Sequence, residues 1–76
     1  MIDLPGIFHS LKNVAQQIGL KLRVCFGFGQ TEYRMQKNQT TVASVDSKLN
    51  VTYPKQTDQS MRDNIDAAIQ KVRDDY

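Results

Sequence analysis

After Gly19 the spacing of apolar residues changes from three-and-four to two, and no other feature constrains the fold of this chain as strongly. Ahead of Gly19, Leu4, Ile7, Phe8, Leu11, Val14, Ala15 and Ile18 form one stripe on a helix, with Lys12, Asn13, Gln16 and Gln17 on its other side. Beyond it, Leu20, Leu22, Val24, Phe26 and Phe28 alternate with Lys21, Arg23, Cys25 and Gly27, the pattern of a strand buried on one face. A chain with both periods must lay helix against sheet, because each apolar stripe needs an apolar partner.

The rest of the chain repeats these two patterns. Asp3 is placed to cap the first helix, Pro5 suits its first turn, and Gly19 supplies the left-handed residue that closes it. Gly29-Gln30 reads as a two-residue turn into a second strand, Thr31 to Lys37, with Tyr33 and Met35 on one face. Asn38-Gln39 makes the next turn, followed by the β-branched run Thr40 to Val45. Asp46-Ser47-Lys48 is read as a turn rather than a bend in one long strand, and leads to Leu49 to Tyr53. The segment Tyr53 to Thr57, with Pro54, connects unlike elements. A second helix follows, with Met61, Ile65, Ala68, Ile69, Val72 and Tyr76 at helical spacing and Thr57, Asp58 and Ser60 as alternative N-caps.

The expectation is a single small α+β domain over residues 1–76, with helices near residues 4 to 18 and 59 to 74. In sequence they flank an antiparallel β-meander of three or four strands, in the order α-β-β-β(β)-α, and both cover the same sheet face. Phe8, Leu11, Ile18, Leu22, Val24, Phe26, Ile65 and Ile69 are expected to be buried.

Size and composition narrow the function. A chain of 76 residues buries only about 60% of the surface its unfolded form exposes, which leaves little interior for a deep substrate cleft. There is no run of eighteen apolar residues and no basic, apolar leader at the start, so a soluble cytoplasmic protein without membrane attachment is expected. One cysteine and one histidine make neither an intrachain disulfide nor a structural zinc site. Phe26-Gly27-Phe28-Gly29 alternates glycine, but residue 32 is Glu and a strand follows, so the turn into a helix that cradles phosphate is missing. Cys25 and His9 fall on different elements and do not form a nucleophile–base pair. The chain is therefore expected to be neither an enzyme nor a carrier of a cofactor or metal.

Charge supplies two candidate surfaces. The net charge is +2, but it is unevenly distributed: Lys12 to Lys37 holds five bases and one acid, whereas Asp58 to Tyr76 holds three bases and five acids. The uncovered sheet face would bring together Lys21, Arg23, Arg34 and Lys48, beside Cys25, Glu32 and Gln36. Asp63 and Asp66 share one side of the second helix, where they could meet a basic protein, and Arg62 can pair with Asp66 one turn on. The element order is also that of the double-stranded RNA-binding domain, but the lysine-rich start of that family's second helix is replaced here by an acidic stretch, residues 57–63, with one arginine. Base stacking on the sheet is not expected either, since Phe26, Phe28, Tyr33 and Tyr53 are assigned to the core. The leading expectation is a non-enzymatic protein-interaction or regulatory accessory module with a protein partner. A nucleic-acid binder using the basic sheet face comes second, an enzyme third. Homodimer formation is compatible with the first two, because a small sheet with an open edge can complete itself on a second copy.

Overall fold

Gly19, at φ 77°, closes helix α1 (Leu4–Gln17) as its sequence position requires. The Leu20 amide donates to the Ala15 carbonyl at 2.8 Å and the Gly19 amide to Gln16 at 3.1 Å, the paired bonds of a Schellman turn. That reversal buries Leu20 and starts the sheet. The computed structural model describes residues 4–27 and 29–75, so the expectations placed on Asp3, Phe28 and Tyr76 lie outside the described residues.

The strands are β1 (Lys21–Gly27), β2 (Gln30–Lys37), β3 (Thr40–Asp46) and β4 (Val51–Thr52), followed by helix α2 (Gln59–Asp74). They form one antiparallel meander in the order β1-β2-β3-β4. The two helices pack against each other and on the sheet, α1 over β1 and α2 over β3. The expected α+β architecture, with both helices on one face of the meander, is the one observed.

Register explains which residues are buried. One row across the sheet runs Leu22–Met35–Ala43, and the next runs Val24–Tyr33–Val45–Val51. Met35, Ala43, Tyr33 and Val45 are buried at the centre of these rows, while Leu22, Val24 and Val51 at the sheet edges are partly buried. Ile7, Leu11, Val14 and Ala15 of α1 and Ile65, Ala68, Ile69 and Val72 of α2 close over them. Burial lifts the Tyr33 phenol above its ordinary pKa. Of the residues expected in the core, Leu11, Ile65 and Ile69 are fully buried, and Phe8, Ile18, Leu22 and Val24 partly so. Phe26 is the exception, 77% exposed. Its cross-strand neighbour is the polar Thr31, one row past Val24–Tyr33, where β3 has already turned away after Asp46. Alternation assigns Phe26 to the helix side, but the apolar rows stop before they reach it.

The turns also refine the sequence reading. Gly27 pairs with Gln30, so the first hairpin connection is residues 28–29, and Gly29, at φ 74°, is its second position rather than its first. Asn38 and Gln39 both take positive φ, as a type I′ hairpin turn demands. A β-bulge follows in β3: Met35 pairs with Ala43 but Gln36 with Thr41, which leaves Val42 as the extra residue.

Asp46 organises the turn between β3 and β4. Its carboxylate accepts from the Lys48 amide at 2.8 Å, the Asn50 amide at 2.9 Å and the Asn50 side chain at 3.0 Å. Leu49 is held at φ 67°, an unusual conformation for leucine, by burial of its side chain and by Arg73 of α2, which donates to its carbonyl at 2.8 Å. Desolvation raises the Asp46 pKa, but the bonds from Asn50 and Lys48 outweigh it and the net shift is downward. A carboxylate whose pKa falls on folding stabilises the native state above the unfolded value, and that contribution is lost as the pH drops through the folded value. Asp46→Asn is thus expected to cost about 1 kcal/mol near neutral pH, the worth of one such bond. Melting curves should show the gap from wild type closing below about pH 4; a gap that stays constant into acid would contradict this role.

Candidate interaction surface

The uncovered face of the sheet is built from the alternate residues of the same strands, again in rows. Lys21 stands opposite Gln36, and Gln36 opposite Thr41. The middle row is Arg23–Arg34–Ser44–Thr52, and the last is Cys25–Glu32–Asp46, continued by Asn50 through the bond from the Asp46 amide to the Asn50 carbonyl. The face therefore carries a basic row beside an acidic one. Three of the four candidate bases, Lys21, Arg23 and Arg34, share it. Lys48 does not: it lies in the turn after Asp46, at the end of the sheet opposite Lys21. Arg34 is also bound to Glu32, Nε to Oε1 at 3.3 Å. A hydrogen bond from Ser44, and then Arg34, hold the Glu32 carboxyl below its ordinary pKa, so it remains an anion beside the bases.

At the acidic end the face sinks into an open depression of about 470 Å³, lined by Phe26, Cys25, Gln30, Glu32, Arg34 and Asn50 among others. Among the described residues no group of three or more His, Cys, Asp or Glu is placed to hold a metal ion. His9 is on α1, apart from the half-buried Cys25 on the sheet. No helix of the described residues is long and apolar enough to cross a membrane.

The candidate acidic helix face is divided. Asp63 accepts from the Gln59 side chain at 2.8 Å, while Asp66 accepts from the Tyr53 hydroxyl. Burial first, and then this bond, push the Tyr53 phenol well above its ordinary pKa. The expected Arg62–Asp66 pair does not form. Arg62 turns back to the connector and donates to the carbonyls of Thr57 at 2.9 Å and Pro54 at 3.2 Å, with its guanidinium 5.3 Å from the centre of the Tyr53 ring. The Pro54 carbonyl also accepts from the Thr57 amide at 3.1 Å, so the guanidinium adds to a connector already folded on itself and ties it to the first turn of α2.

An open sheet edge was anticipated from the sequence, but the exposed aromatic at the end of it was not. β1 is an edge strand of seven residues, whereas the other edge, β4, has two. The glycines Gly27 and Gly29 flanking the position of Phe28 were the only sequence signal that the strand ends without cover. Comparison with protein-family models, with curated proteins and with solved structures finds no match for this chain.

Proposed function

We propose that this chain is a non-enzymatic protein-interaction module that docks its partner along the free edge of β1, with Phe26 as the apolar anchor. The observation that carries this reading is the 77% exposure of Phe26. An aromatic ring left in water at the end of a long edge strand forgoes its burial free energy until a partner covers it. A strand edge offers main-chain hydrogen bonds for affinity, and alternate side chains for selection. The surface is less suited to nucleic acid. Each phosphate that approaches Arg23 and Arg34 also approaches Glu32 and Asp46 in the adjoining row.

The test is a nuclease-treated capture of partners on tagged chain, compared with the same capture on Phe26→Ser, together with titration of the purified protein against duplex DNA and RNA. Partners retained by wild type are expected to be lost by Phe26→Ser, with no change in melting temperature beyond that of a surface substitution. Micromolar or tighter nucleic-acid binding at physiological salt, abolished by Arg23→Glu combined with Arg34→Glu, would instead establish the basic-face reading.

A further inference from the structure

Building on the β1 edge as docking surface, we infer that its occupant is a second copy of this chain, paired antiparallel about Val24, so that two four-stranded sheets become one of eight. Backbone parity comes first. The pair that closes a two-residue hairpin connection, here Gly27 and Gln30, exchanges both of its main-chain bonds. Alternation from that pair turns the amides and carbonyls of Cys25, Arg23 and Lys21 towards β2, and those of Phe26, Val24 and Leu22 towards the free edge. A two-fold axis through Val24 pairs Val24 with its own copy and Leu22 with the partner's Phe26, all through these outward groups, and overlaps the strand over its full length.

Side chains favour the same register. On the helix side, each exposed Phe26 comes to lie opposite a partly buried Leu22 of the other copy, and so extends the partner's first apolar row. On the open side Arg23 stands opposite the partner's Cys25. The basic row Arg34–Arg23 of one copy then continues across the seam into the acidic row containing the partner's Glu32 and the partner's Asp46. Shifting the axis to Arg23 would set four guanidiniums in one line, Arg34 and Arg23 of each copy. Shifting it to Cys25 would instead line up Glu32 and Asp46 with their own copies and shorten the overlap. Only the axis at Val24 puts opposite charges across the seam.

Because α1 packs over β1 and α2 over β3, joining the two β1 edges brings α1 of each copy against the other across the seam, so the helices as well as the strands meet there.

Sedimentation equilibrium of the purified protein, from micromolar to millimolar, reads the proposal directly. The expected result is a reversible species of twice the 8.7 kDa chain mass, converted to monomer by Phe26→Lys with its circular dichroism retained. The register is tested separately by Arg23→Cys with oxidised glutathione. In a non-hydrogen-bonded pair the Cα atoms stand about 4.5 Å apart, within disulfide reach, so this variant should link covalently to the partner's Cys25 while wild type does not. Wild-type cross-linking through Cys25 alone would overturn the Val24 axis. Monomer at every concentration would overturn self-pairing; Phe26-dependent capture of a different protein would then leave the interaction module standing, and loss of both would remove it.

Discussion

Ile65→Ala is expected to lower the free energy of unfolding by about 2–5 kcal/mol, the range for removing a large aliphatic side chain from a packed interior. Ile65 has no exposed surface and lies on the α2 stripe with Ala68, Ile69 and Val72, in the same buried core as Tyr33 and Val45. Its loss deletes apolar burial and leaves a void that two helices already packed on the sheet cannot close cheaply. For 76 residues the usual per-residue stability amounts to only about 4–11 kcal/mol in total, so the variant should unfold at far lower urea, with the loss read from the midpoint at unchanged slope. A change within about 0.5 kcal/mol, the scatter of surface substitutions, would mean that the stripe faces elsewhere.

Thr57→Val is expected to cost about 1–3 kcal/mol although it preserves shape, because it strands a carbonyl rather than opening a cavity. The register of β3 with β4 pairs Asp46 with Asn50 and Ser44 with Thr52, and its next step would pair Val42 with Pro54. Proline has no amide to offer, so β4 ends at Thr52 and the Val42 carbonyl, in the bulge, needs another donor. The buried Thr57 hydroxyl supplies it at 2.8 Å. The same bond sets where α2 begins, one residue before its N-cap Asp58, whose carboxylate accepts from the Met61 amide at 2.7 Å. Thr57→Ser keeps the hydroxyl and should retain most of the stability in the same urea titration. Equal losses in the two variants would show that the methyl group, and not the bond, is what matters.

The sequence by itself determined every element that rests on local chemistry. The helical period and the α2 stripe, the period of two in β1 and β2, the left-handed close at Gly19 and the turn at Asn38-Gln39 depend on residues a few positions apart, and all were read in their places. The two-layer assembly followed, because one apolar face per element leaves few ways to bury them all. What depended on distance along the chain was not legible. Alternation could say which way Phe26 points but not how many rows the helices cover, and that number comes from the register of three strands. Lys48 was placed with the basic face although it was read in a turn, and the folded Asp46 turn sets it at the end of the sheet away from Lys21. Arg62 chose carbonyls that only the folded connector brings within reach. The division of the open face into a basic and an acidic row is likewise a product of pairing: Arg23 meets Arg34, and Glu32 meets Asp46, because hairpin connections set which residues stand side by side.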